Sequence, residues 1–300
     1  MNDLDPRSRD IMAPAELNAS ALARITELAH REAGLHIAPA KAAMVRTRLL
    51  RRLRRLGLRD FDSYCDLVDS HAGQDERAKM ISALTTNVSS FFRENHHFEI
   101  FRNQALPALI DQARHGKRVR IWSAGCSNGQ EPYSIAMTML EAGMPQGADV
   151  RILGTDIDPE VIDFAKAADY PGAMLANVPP NLREAYFDAN DDEADGSRRV
   201  GSALREITRF RVLNLIQDWP MRGQFDAIFC RNVVIYFDQA TQDGLWPRFA
   251  RSLNTHGWLF LGHSERVGEK ANSYFRSVGI TAYTRTATEV PGTSPALETQ

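Results

Sequence analysis

The sequence is short of cysteine, of long apolar runs and of any charge imbalance. Cys65, Cys126 and Cys230 are its three cysteines, an odd number with no CxxC pair among them. That excludes a disulfide-stapled scaffold and predicts a reduced, cytoplasmic protein. No stretch approaches the roughly 20 apolar residues that cross a bilayer, so direct membrane insertion is not expected. The opening residues, MNDLDPRSRD, lack the apolar core of a secretory signal. Lys and Arg number 36 against 38 Asp and Glu, and a net charge of -2 does not mark a nucleic-acid or other general polyanion binder. The eight histidines include no HExxH or other metal spacing, so no metal is expected.

What is present is ordinary for a globular chain: 43% hydrophobic and 25% charged residues, over a length that favours two domains. After a loose lead-in at 1–15, an all-helical module is expected over 16–85. Leu17, Leu22, Ile25 and Leu28 recur at near-helical spacing, and Gly34 follows. Pro39 opens a second helix that stops at Gly57. Its apolar positions Ala42, Val45, Leu49, Leu53 and Leu56 are spaced 3, 4, 4 and 3. Two further helices are expected over 61–71 and 76–84. The second helix also carries Arg48, Arg51, Arg52, Arg55 and, beyond its stop, Arg59, with no acid between Lys41 and Arg59. Such a run is usually a solvated face. So uniform a cluster repels itself, however, and also fits a surface meant for an acidic partner.

Residues 86–118 read as a hydroxyl-rich linker and a connecting helix. Over 119–285 strands alternate with helices, which argues for a mostly parallel sheet covered on both faces. The alternation breaks at a small insertion, about 172–208, and 286–300 reads as a disordered tail. The centre of this part is VRIWSAGCSNGQEPYS, from Val119: a buried strand, a turn of small residues, then a helix opened by Pro132. An α/β sheet builds a nucleotide-type pocket in this way at the carboxyl end of its first strand. Ser127 stands where the GxGxxG fingerprint has its second glycine, which disfavours a diphosphate ligand. Asp156 ends the second strand, where an acid can accept both hydroxyls of a ribose. Arg93 can grip a carboxylate with two prongs, and Glu131 can meet an ammonium. Together these fit S-adenosylmethionine, which has a ribose and a zwitterionic amino-acid end.

The stretches TTNVSSFFRE, SAGCSNGQEPYS, TDIDPEVIDFA, FDAIFCRNVVIYFD and GHSE together resemble the chemotaxis receptor glutamate methyltransferases, the CheR family. The resemblance runs from about Ala15 to Tyr283. It implies an α/β fold: a Rossmann-like methyltransferase sheet after a helical N-terminal domain, carrying a small antiparallel β insertion. It implies S-adenosylmethionine as cofactor, S-adenosylhomocysteine as product, and transfer to glutamates on the cytoplasmic signalling domain of methyl-accepting receptors. Residue by residue it places Asn87, Ser89, Arg93, Glu131, Asp156, Asn214, Leu215, Arg231 and Asn232 at the cofactor. Ser89 replaces the usual Thr and keeps the hydroxyl. Tyr236 falls near the transferred methyl and is expected, with Arg231, to position the acceptor carboxylate. Arg48, Arg51, Arg52, Arg55 and Arg59 are expected to meet the receptor.

Some family members capture a receptor tail peptide through a glycine-rich loop in the insertion. Here 188–196 has one glycine and five acids, so independence from such a tether is expected. Three rivals remain. A nucleic-acid base methyltransferase is disfavoured because Arg231-Asn232-Val233-Val234 lacks the Asn/Asp-Pro-Pro-aromatic set. A non-catalytic module holding the cofactor or its product, and an enzyme acting on another protein carboxylate, are the others.

Overall fold

The computed structural model describes residues 15–189 and 196–290, and the chain divides into two compact units. The first is helical: α1 (Ala19–Ala33), α2 (Ala42–Leu56), α3 (Phe61–Asp69) and α4 (Gln74–Leu84). Asn18 and Asp60 accept the N–H of Ala21 and of Ser63, each at 2.7 Å, and so cap α1 and α3. Of the apolar face foreseen for α2, Val45, Leu49 and Leu53 are buried and Ala42 half-buried, while Leu56, at the helix end, is exposed.

The charged side of α2 is less uniform than its sequence. Arg48 donates to the Leu84 and Thr85 carbonyls, both at 2.8 Å. Arg52 makes a two-pronged bond to Glu76 at 2.9 and 2.5 Å, and Glu76 also accepts from the Tyr64 hydroxyl at 3.0 Å. The expectation that five arginines face a receptor is thereby corrected for these two. Their guanidinium groups turn into their own unit, because a buried carboxylate and a helix end both need donors. Arg51, Arg55 and Arg59 are exposed.

The second unit opens on α5 (His96–Ile100) and α6 (Leu106–Arg114), joined by a π-helical turn at Phe101–Ala105. Then come β1 (Val119–Ala124), α7 (Gln130–Glu141), β2 (Val150–Asp156), α8 (Pro159–Ala167), β3 (Asp169–Tyr170), α9 (Pro180–Tyr186), β4 (Phe187–Ala189) and β5 (Arg198–Val200). The chain continues through α10 (Ser202–Ile207), β6 (Thr208–Val212), β7 (Phe225–Cys230), α11 (Gln239–Ser252), β8 (Leu253–Leu261), β9 (Phe275–Gly279) and β10 (Ala282–Arg285). Seven strands form one sheet in the order β6-β2-β1-β7-β8-β10-β9. From β6 to β8 neighbours are parallel, while β10 pairs antiparallel with both β8 and β9.

Strand β7 is buried at every position. Its alternation sends Ala227 and Phe229 to one core, with Ile121 and Ile152, and Ile228 and Cys230 to the other, with Trp122 and Phe249. The chain reverses its winding between β1 and β7, the place where such a sheet leaves a crevice beyond its strand ends.

The insertion is a separate antiparallel sheet, β3-β5-β4. It starts at Asp169 rather than 172 and includes two helices, α9 and α10, that the broken periodicity did not disclose. Asp191, Asp192, Glu193 and Asp195 of the acidic loop lie outside the described residues. The tail departs from expectation in its first residues. Thr286 donates its N–H to the Tyr274 carbonyl at 2.9 Å, and Val290 is buried in the second core. One apolar residue after a polar stretch gave no periodic signal. Residues 291–300 are outside the description.

Candidate functional site

The site is built where β1, β2 and β7 end. Gly125, Cys126 and Ser127 leave β1 in a tight turn. Gly125 has φ 81°, and a Cβ there would lie 2.2 Å from Val233 Cγ2, so the loop after β7 presses directly on the loop after β1. The N–H groups of Gly125 and Cys126 both go to the Thr155 carbonyl. Ser127 N–H donates to Asp156 Oδ2 at 2.8 Å and Asp158 N–H to Asp156 Oδ1 at 3.0 Å. Burial pushes the Asp156 carboxyl up, and those two N–H groups offset only part of the rise. Backbone donors thus aim the carboxylate, whose oxygens have four lone-pair sites between them.

The hydroxyl-rich segment lies on this turn. Asn87 accepts from Ser127 Oγ with its carbonyl at 3.0 Å and donates with its amide to Asp158 Oδ2 at 2.7 Å. Ser89 is half-buried. Phe92 N–H donates to Ser134 Oγ on α7 at 3.0 Å. Phe92 and Glu94 have φ 53° and 56°, Ser127 49° and Asn232 58°. Four of the seven non-glycine residues at positive φ among the described residues are therefore here, so backbone strain gathers at this site.

The charges form one buried knot. Glu131, in the first turn of α7, accepts from Ser123 Oγ at 2.6 Å and from Arg231 at 2.9 Å. Arg231 also donates to the Arg93 carbonyl, lies 3.3 Å from Glu94 and sits over the Phe98 ring. Its side chain is 2% exposed. The guanidinium thus faces Glu131 and Glu94. Burial pushes the Glu94 carboxyl up, but hydrogen bonds from His263 and Asn232 and the charge of Arg231 outweigh it, leaving Glu94 at about 2. Arg93 itself donates to the Val88 carbonyl at 2.8 Å.

The remaining expected residues sit at strand ends. Leu213 N–H donates to the Asp156 carbonyl at 2.8 Å and so ties the end of β6, with Asn214 and Leu215 after it, to the same corner. Asn232 donates to Glu94 at 3.2 Å. Tyr236 is half-buried on a short 3-10 turn, Val234–Tyr236.

Glu94, His96 and His97 bring three ligand-type atoms within 4.8 Å of one another. The Arg231 guanidinium lies 3.3 Å from the same carboxylate, at Glu94 Oε2. Sequence reasoning missed Glu94, Asp158, Ser123 and Glu265. Glu94 and Glu265 stood inside quoted motifs, FFRE and GHSE, but nothing in their neighbours' spacing showed what they would grip.

A sheet of this order with the crevice between β1 and β7 defines an S-adenosylmethionine-dependent methyltransferase fold. Residues 87–284 match the CheR methyltransferase, SAM binding domain, and residues 20–85 the CheR methyltransferase, all-alpha domain. A probable chemotaxis protein methyltransferase of Rhizobium etli is 48% identical over 85% of this chain and 95% of its own. Chemotaxis protein methyltransferase 2 of Pseudomonas aeruginosa is 41% identical over 87% of this chain and 91% of its own. The chemotaxis protein methyltransferase of Escherichia coli is 42% identical over 81% and 82%. The chain belongs to the CheR methyltransferase family. Its cofactor is S-adenosylmethionine, and its activity is methylation in chemotaxis. No helix of the described residues is long and apolar enough to cross a membrane.

Proposed function

We propose that this protein esterifies glutamate side chains on the cytoplasmic signalling domains of chemotaxis receptors. The observation that carries the reading is the poor basicity of the knot. Glu94 stands at about 2, and His97, pushed down by burial and by the charge of Arg231, at about 3. Neither takes a proton near neutrality, so this pair supplies no general base, which suits an acceptor that arrives as an anion. A glutamate side chain does, with an ordinary pKa of about 4.3.

The residues fit the cofactor. Asp156, at the end of β2, would accept the two ribose hydroxyls. Asn87, Ser89, Asn214, Leu215 and Asn232 complete the surrounding shell. Arg93 would hold the methionyl carboxylate and Glu131 the ammonium. When bound, S-adenosylmethionine supplies a methyl carbon on a cationic sulfur, which a carboxylate oxygen accepts without a base. The protein's part is to align the acceptor and strip its water, with Tyr236 orienting the carboxylate. Orientation of this kind is worth roughly 7–11 kcal/mol in favourable cases. Arg51, Arg55 and Arg59 meet the acidic methylation helices, and no tether peptide is needed.

The test is methyl transfer from labelled S-adenosylmethionine into a panel of receptor cytoplasmic domains. Label released by mild alkali marks a carboxyl ester and is the expected result. Alkali-stable label, or none on any receptor, would refute the reading.

A further inference from the structure

Glu265 lies in the turn after β8 and is 3% exposed. Its carboxylate accepts four backbone N–H groups. Oε2 takes Gly262 at 2.6 Å and Asn232 at 2.9 Å, and Oε1 takes Val233 at 2.8 Å and Ile235 at 3.2 Å. Three of these donors belong to the segment that leads from β7 to Tyr236. Successive N–H groups converging on one anion form a nest, and here the nest requires Asn232 at φ 58°.

Gly262 shows how tight the joint is. A Cβ there would lie 2.7 Å from Asn232 N and 2.8 Å from Glu265 Oε2. Burial pushes the Glu265 carboxyl up, and the four N–H groups offset part of the rise. Glu94 fixes the Asn232 side chain at 3.2 Å, whereas Glu265 fixes only backbone.

We propose that Glu265 is the positioning residue of this site: it clamps segment 232–236 by its backbone, and through it sets Asn232 and Tyr236, while touching neither cofactor nor acceptor. This deepens the functional reading above and rests on its placement of Asn232 and Tyr236. The sequence Gly-His-Ser-Glu then has a physical sense. The glycine allows the close approach and the acid, three residues on, gathers the donors.

Glu265→Gln keeps the shape of the side chain but turns one oxygen into an NH2 that faces two N–H donors, so half of the clamp opens. Two double-mutant cycles decide. In calorimetry with S-adenosylhomocysteine, Glu265→Gln is expected to weaken binding at least fivefold, and Asn232→Ala to weaken it no further in that background. In receptor methylation, Tyr236→Phe is expected to lower kcat in the parent but by less than twofold in Glu265→Gln. Effects that multiply independently in the calorimetric cycle would overturn the proposal, as would unchanged affinity in a folded Glu265→Gln. That cycle needs no receptor. A parent that methylates nothing therefore refutes the proposed function while the calorimetry still judges Glu265. Should Glu265→Gln not fold, Glu265→Asp, which keeps the charge but shortens the reach, replaces it. Loss of the fold in both would make Glu265 a purely structural residue and also overturn the proposal.

Discussion

Arg51 and Arg52 are neighbours in one basic run, and nothing local distinguishes them. Arg52 has found Glu76, 24 positions away, and both side chains are nearly buried, at 13% and 7% exposure. Arg52→Ala leaves that carboxylate without its cation and should cost roughly 3–5 kcal/mol in a denaturant titration. Arg51→Ala should stay within about 0.5 kcal/mol. Equal costs would contradict this division. A second residue-scale expectation concerns acid. His97 is buried beside Arg231 and sits at about 3 instead of 6.5. Its fold-stabilising contribution is therefore complete above pH 6.5 and drains away as pH falls toward 3. Within that window the loss is at most about 1.4 kcal/mol per pH unit. Melting curves of His97→Asn should fall less steeply with acid than the parent's over the same range, and parallel curves would rule His97 out.

At the scale of elements, periodicity carried most of what could be read. The apolar stripe of α2, its stop at Gly57 and the largely apolar β7 were all legible, because each is a local pattern set by burial. The knot of Glu94, Glu131 and Arg231 was not. Its partners come from three separate stretches, and the two left-handed residues that set the first of them, Phe92 and Glu94, are types that do not advertise a positive φ. The basic helix is half legible for the same reason: its charge was plain, while the two arginines drawn inward were decided by partners elsewhere. The surface role proposed for the others is testable on the element itself. Reversing charge at Arg51 and Arg55 together should raise KM for a receptor domain and flatten its dependence on salt, with S-adenosylhomocysteine affinity unchanged. Receptor kinetics that stay the same across salt would return these arginines to an ordinary solvated face.

For the whole molecule, alternation of strand and helix was enough to foresee the α/β sheet, and a change of pattern near residue 85 enough to foresee a helical part before it. What alternation could not give was the insertion's outline, since short strands and single-turn helices bury too little to imprint a period. The proposed independence from a receptor tether depends on that insertion. A tail peptide would add as a strand to an edge of the β3-β5-β4 sheet, its pairing resting on backbone and its carboxylate seeking a cation. The cations nearest at hand are engaged: Arg198 lies 3.0 Å from Glu184, and Arg199 3.8 Å from Asp169. The sequence that follows β4 supplies Asp191, Asp192, Glu193 and Asp195, which repel an acidic ligand, and only Gly196 as bare backbone. Exposed pairs such as these give way at small cost, so the acids, more than the engaged arginines, argue against capture. Deleting the last several residues of a cognate receptor should leave its methylation rate within about twofold, a change of about 0.4 kcal/mol, because no docking contact is lost. A tenfold fall, or micromolar binding of the isolated tail peptide in calorimetry, would show that the insertion does hold a tether.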